Sequence, residues 1–150
     1  MIDLGPAVDV LERVGIATLL GGALGLDREL HERFAGLRTH MLVAMGAAVF
    51  VMAGLGSASG TERDATRVIQ GIVVGIGFIG GGTILKLTDQ QRVRGLTTAS
   101  SIWLAAGVGT ACGLADFTLA VVGTAIAVLV LVALRPLEKF LTRFEHPPKP

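Results

Sequence analysis

Five charged residues crowd into positions 27–33, as Asp27, Arg28, Glu29, Glu32 and Arg33, where the first apolar stretch of the chain gives out. Two chemistries fit them. Asp27 and Glu29 offer the hard carboxylate oxygens that a divalent cation prefers, which makes Mg2+ the one cofactor the sequence suggests and these two residues its candidate ligands. Alternatively the cluster is a solvated helix end, in which Glu29 and Arg33 stand in the favourable i, i+4 order and each exposed pair contributes only about 0.5 kcal/mol. A second group lies near helix starts. Thr39 and Thr98 are placed to cap two apolar runs, where a hydroxyl accepts a bond from an orphan backbone N–H. Arg38, Arg92 and Arg94 stand beside those starts. Free N–H groups and the helix dipole favour an anion there, so a phosphate, a lipid headgroup or a partner carboxylate would be a suitable guest.

Catalysis has little to build on. His31, His40 and His146 fall at or beyond the expected helix ends, where solvated loop histidines are expected, and no zinc-type spacing occurs. Cys112 is the only cysteine, which rules out an internal disulfide and reads as a small buried thiol. The chain is therefore expected not to be an enzyme.

The elements that must position these groups are apolar and long. Five stretches, roughly 8–26, 37–55, 68–87, 96–114 and 117–134, approach the ~20 residues that cross a bilayer as a helix. Hydrophobic residues make up 51% of the chain and charged ones 17%, with the charges lying between the apolar runs, as the cost of an unpaired charge in lipid requires. The expected fold is all-α, a polytopic membrane protein of five transmembrane helices in a lipid bilayer. Nothing in the charge pattern points to nucleic acid. Arg28, Arg33, Arg38, Lys86, Arg92, Arg94, Arg135, Lys139, Arg143 and Lys149 share one side of that topology, against Arg13, Arg63 and Arg67 on the other. Basic residues are retained in the cytoplasm, so the amino terminus is expected outside and the carboxyl terminus inside. Few ionisable groups fall deep in any run, so a single chain offers no evident cation route, though a homo-oligomer could assemble one.

A shift of 59 residues lays Gly36-Leu37-Arg38-Thr39 on Gly95-Leu96-Thr97-Thr98, and Gly21, Gly22, Ala47, Val49, Gly54 and Leu55 on Gly80, Gly81, Ala106, Val108, Gly113 and Leu114. Two duplicated helix-loop-helix units plus a fifth helix are implied, a parallel repeat of a kind known in membranes. Glycines four apart, Gly21 with Gly25, Gly71 with Gly75, Gly77 with Gly81 and Gly109 with Gly113, are expected to let helix backbones approach closely. The Gly75, Gly77, Gly80 spacing also fits a dinucleotide fingerprint, which is rejected because no strand precedes it. Residues 1–135 thus form the transmembrane domain. In 136–150, Pro136 can open a helix whose Leu137, Phe140, Leu141 and Phe144 oppose Glu138, Lys139 and Arg143, a short amphipathic tail on the inner leaflet.

The runs Gly25-Leu26-Asp27-Arg28-Glu29, Gly36-Leu37-Arg38-Thr39-His40, Gly75 to Gly82 and Val93-Arg94-Gly95-Leu96-Thr97-Thr98-Ala99 together resemble the MgtC/SapB family of bacterial inner-membrane proteins. The resemblance implies five spans and a cytoplasmic carboxyl terminus. It also implies a regulatory or stress-adaptation role in low magnesium and in virulence through survival inside macrophages, including restraint of the F-type ATP synthase. Asp27, Arg28, Glu29, Arg38, Thr39, Arg94, Thr97 and Thr98 are the positions the family pattern singles out for ligand or partner binding. Longer members carry a soluble domain after the spans, whereas this chain continues only about 15 residues past Arg135, like the short, membrane-only branch. A carrier or channel for magnesium or another small solute is the competing reading.

Overall fold

The computed structural model describes residues 5–56, 62–87 and 92–145 as five helices and one short hairpin. Helix α1 runs Gly5–Glu29, α2 Leu37–Leu55, α3 Glu62–Gly82, α4 Leu96–Gly113 and α5 Phe117–Glu145, with strands β1 Leu85–Leu87 and β2 Arg92–Arg94 between α3 and α4. Each boundary has a local cause. Glu32 takes a positive φ of 49°, and the Arg33 N–H returns to the Arg28 carbonyl at 3.1 Å, which turns the chain out of α1. At the end of α3 the Thr83 hydroxyl donates to the Gly80 carbonyl at 2.7 Å, closing a helix already weakened by Gly80, Gly81 and Gly82. After α4, Asp116 accepts the Leu119 N–H at 3.0 Å and starts α5.

Two expectations change here. The third apolar run is not helical throughout, because residues 85–87 pair antiparallel with 92–94 in the register Leu85↔Arg94, Lys86↔Val93, Leu87↔Arg92. Hydropathy cannot separate an apolar strand from the end of an apolar helix, so the all-α description gains a hairpin. Likewise, α5 does not end for a new helix at Pro136 but passes through it to Glu145, giving up the hydrogen bond that a proline cannot donate. His146 and the last prolines lie outside the described residues.

Helices α2 and α4 form the centre. They run parallel, with Gly109 against the backbone of Ala44 and Gly113 within reach of Ala48 and Val51. Helix α1 crosses both in the opposite direction. Gly21 and Gly25 bring it onto α2, and Arg13 donates to the Gly113 carbonyl at the far end of α4 at 3.0 Å. Small residues fill the interface, Ala17, Ala44, Ala48, Ala105 and Ala111 among them, with Leu24, Ile102, Val51 and Cys112 as the bulkiest buried apolar groups. Helices in lipid associate through such close packing, since lipid tails remove the hydrophobic drive between them.

The outward faces are apolar. Leu19, Phe50, Val74 and Leu129 are exposed, and Phe78 is 89% accessible. Three helices are long and apolar enough to cross a membrane by length and composition, over Leu37–Leu55, Ala65–Gly82 and Phe117–Pro136. Helix α1 carries Glu12, Arg13 and Asp27, while α4 is rich in glycine, serine and threonine, so neither reads as strongly apolar. The burial of α4 explains its composition: ten of its 18 residues are buried against other helices and need not match lipid.

Candidate functional site

The end of the bundle that holds the carboxyl end of α1 and the amino ends of α2 and α4 gathers the charged groups around Asp27. Its carboxylate is 9% exposed and is held from two sides. Arg135, arriving from α5, donates through Nη2 to Oδ1 at 2.7 Å and Oδ2 at 2.8 Å, while Arg28 Nη2 reaches Oδ2 at 2.9 Å. Burial by itself would raise the Asp27 carboxyl, but the hydrogen bonds and charges of Arg135 and Arg28 outweigh it and hold the group below its ordinary value. His31 completes the knot. Its Nδ1 lies 2.8 Å from the Asp27 carbonyl, which can only accept, so that nitrogen carries the proton and Nε2 is left to accept from Arg135 Nη1 at 2.6 Å.

Glu29 does something else. Its Oε2 accepts the Leu37 N–H at 3.0 Å and so caps α2 from the end of α1. Gly36 makes room for this, because a Cβ there would collide with the Glu29 carboxylate. The expected Glu29–Arg33 pair therefore does not form, and the helix does not continue that far. Of the two carboxylates proposed as cation ligands, both Asp27 oxygens and Glu29 Oε2 accept from N–H donors. Among the described residues no group of three metal-ligating side chains gathers. Nor are Asp27 and Arg28 the solvated charges anticipated, since Arg28 is only 5% exposed.

The threonine caps are also corrected. The residues at the helix starts are Gly36 and Gly95, and neither α2 nor α4 has a cap from its own N-cap side chain. Gly95 adopts φ 94°, and a Cβ there would strike the Thr83 carbonyl, so only glycine can lead β2 into α4. Thr98 is buried and Thr97 exposed beside it, while Thr39 is half-buried and Arg38 and Arg94 project outward.

Arg28, Arg33, Thr97, Thr98 and Arg135 meet at a cavity of about 260 Å³ floored by Leu131 and Leu134 of α5. Of the residues expected at the site, Asp27, Arg28, Thr97 and Thr98 thus come together. Arg38 and Arg94 stand outside the cavity. A larger hollow of about 820 Å³ between α2 and α3 is lined by Leu42, Phe50, Val68, Ile72 and Ile79, with no charged side chain to orient a solute.

Sequence reasoning overlooked three participants. Arg135 entered only as a topogenic charge, although its place as the first charge after the apolar run of α5 puts it at the level of Asp27. His40, taken for a solvated histidine, is fully buried. Its Nδ1 donates to the Gly36 carbonyl at 2.8 Å, and Nε2 lies 2.9 Å from Ser101 Oγ on α4. Ser101 Oγ also lies 2.9 Å from the Thr98 carbonyl, so its single hydroxyl hydrogen is shared between two acceptors, and both side chains are buried in the helix interface.

Apolar outer faces and small-residue packing, with charges gathered at the helix ends, define a multi-helix membrane protein. A profile of the MgtC family matches residues 14–140. The chain is 45% identical over 125 residues to Protein MgtC of Brucella abortus, covering 83% of this chain and 51% of that one. It is 43% identical over 120 residues to Protein MgtC of Salmonella typhimurium, with 79% and 49% covered. Against the uncharacterized protein slr0014 of Synechocystis it is 44% identical over 131 residues, 87% of this chain and 54% of the relative. The chain belongs to the MgtC family, and it spans about half the length of the curated relatives it matches. No solved structure matches.

Proposed function

We propose that this chain is a regulatory or stress-adaptation component of a bacterial inner membrane that works through its charged end and is neither an enzyme nor a magnesium carrier. All five helices cross the bilayer in this reading, with the amino terminus outside and the carboxyl end in the cytoplasm. The 18 residues of α4 rise about 27 Å, enough for the hydrocarbon core, and two of its hydroxyl residues, Thr98 and Ser101, are buried against other helices, while the Ser100 and Thr110 hydroxyls bond to carbonyls of their own helix. The basic residues Arg28, Arg33, Arg38, Arg94 and Arg135 collect at the end assigned to the cytoplasm. Low-magnesium adaptation and a role in virulence come from the family resemblance, as does a membrane complex such as the F-type ATP synthase as partner.

The observation that carries the reading is the contrast between ends and middle. The knot of Asp27, Arg28, His31 and Arg135 sits at one end, with His40, Thr98 and Ser101 in the first turns of α2 and α4 beside it, whereas among the described residues the buried polar side chain farther along is Thr124. A cation path would need ionisable groups along the bundle.

Purified chain in liposomes should pass no magnesium beyond empty vesicles, while a strain lacking it should grow poorly when magnesium is limiting and recover on complementation. Replacing exposed Arg38 by alanine should impair that recovery without lowering the amount of protein in the membrane. Saturable magnesium uptake by the liposomes would sink the regulatory reading in favour of the carrier. A fluorescent reporter after Pro150 should be active in the cytoplasm; activity of alkaline phosphatase there would invert the orientation.

A further inference from the structure

We infer that the cavity between α1, α4 and α5 binds a phosphate-type oxyanion, either free or as the headgroup of an anionic lipid; this rests on the reading that the charged end is the working surface. Three arginines line it, Arg28, Arg33 and Arg135, against the single carboxylate of Asp27, whose two oxygens are both already engaged. Positive charge is therefore in excess around a space of about 260 Å³. The opening of α4 forms another wall. Gly95, Thr97 and Thr98 line it, and no side chain of the N-cap residue satisfies the first N–H groups of that helix, which carry the positive end of its dipole.

An independent observation concerns Arg28. Its side chain is more than nine-tenths buried and lines the cavity, yet its Nε has no hydrogen-bond partner. A buried guanidinium that is not fully satisfied is costly, and a tetrahedral oxyanion in the cavity would supply acceptor oxygens to the guanidinium groups that line it and to the α4 backbone together. The two starts of the duplicated units differ in this respect. Glu29 already fills the corresponding position at α2, where its carboxylate takes the Leu37 N–H. At α4 the place is open, and the anion would do there what Glu29 does at α2. Val130, Leu131 and Leu134 along the floor give a lipid's glycerol and first methylenes an apolar surface to lie on.

The test uses the full chain in a maltoside detergent, which contains no phosphate. Melting is followed while orthophosphate, phosphatidylglycerol, or the controls sodium chloride and diacylglycerol are added at matched ionic strength. Orthophosphate or phosphatidylglycerol should raise the melting temperature saturably, and the controls should not. A response to the lipid alone identifies a headgroup, and a response to orthophosphate a free anion. Arg33→Gln at the exposed rim should weaken the apparent affinity about tenfold or more, the scale of one charge-assisted bond. Arg67→Gln, which removes the same charge from α3 at the opposite end, should leave it unchanged.

No response to either phosphate probe, or equal affinity in the wild type and Arg33→Gln, would overturn the inference. Binding is read without reference to growth, so a failed complementation assay beside intact binding would sink the regulatory reading and leave the site standing.

Discussion

The two helix-loop-helix units begin from aligned residues and end with different packing. In the first, a Cβ on Gly21 would lie 2.6 Å from the His40 carbonyl oxygen and one on Gly25 2.8 Å from Leu37 Cα, so α1 and α2 meet closer than any side chain allows. In the second, Gly80 is the residue aligned with Gly21, and a Cβ there would meet Ala99 at an ordinary 3.6 Å. Helix α3 thus stands off. Gly71, Gly75, Gly77 and Gly81 have open space around them rather than the close backbone contact expected of them, and the apolar hollow opens between α3 and α2. Glycine spacing therefore marks helices able to approach, while the partner surface decides which do. Helix α2 presents the backbones of His40, Ala44 and Ala48 to α1 on one side and α4 on the other, and its small side chains let both settle.

The largest test of that contrast is electrostatic. Asp27 locks the end of α1 to α5, and the residue aligned with it in the second unit is Lys86, of opposite charge. Asp27→Ala would leave Arg28 buried without a counter-charge and should cost about 3 kcal/mol, read as lower melting in detergent. Unchanged melting would remove the lock from the fold. The pH dependence has a definite sign. A carboxyl held below 3.8 in the folded chain contributes stability that is fully present above 3.8 and lost as pH falls through the lower folded value. The gap in melting between wild type and Asp27→Asn should therefore hold steady from neutrality down to about pH 5 and shrink as the pH falls below 3.8.

Packing comes next. A methyl group on Gly109 would fall on the backbone of Ala44, so Gly109→Ala should destabilise by about 2 kcal/mol. Gly77→Ala meets nothing and should be neutral or stabilising by up to about 1 kcal/mol, because alanine suits a helix interior better than glycine. Equal loss in both variants would mean that α3 packs as tightly as α1.

How much of this was legible follows from what sequence encodes locally. The limits of α2 at Leu37 and Leu55 coincide with an apolar run, because hydropathy and a preceding glycine mark both. The hairpin at Leu85–Leu87 was hidden, since its apolar residues continue the pattern of α3. At the site, Asp27 and Arg28 stand out as charges beside an apolar run, but their burial does not, because it is made by Arg135, 108 positions away. The same holds for His40. Its partner Ser101 is 61 residues distant, and no local pattern distinguishes a buried helix-end histidine from a solvated one. Long-range pairing is what the one-dimensional reading lacks.

That His40–Ser101 bond joins the two units near the starts of α2 and α4, and the aligned positions, Ala99 and Leu42, cannot repeat it. Ser101→Ala should cost about 1 to 2 kcal/mol, because His40 Nε2 would be left without its partner in a fully buried place. A variant that melts with the wild type would place water in the interface as a substitute partner.

The smallest expected effect separates the two helix starts most directly. Glu29 is exposed and its bond to the Leu37 N–H is made at a surface, so Glu29→Gln keeps an acceptor oxygen and loses only the charge that favours the dipole, about 0.5 kcal/mol. Global melting should barely move. Hydrogen exchange at the first amides of α2 should quicken, because Leu37 loses part of its cap, whereas the first amides of α4, with no cap from Gly95, should keep their wild-type rates. Adding phosphate should then slow exchange at Thr97 and Thr98 and leave the start of α2 as it was. Slowing at both starts alike would mean that the anion reads any helix end, and slowing at neither that the second start has found its acceptors elsewhere.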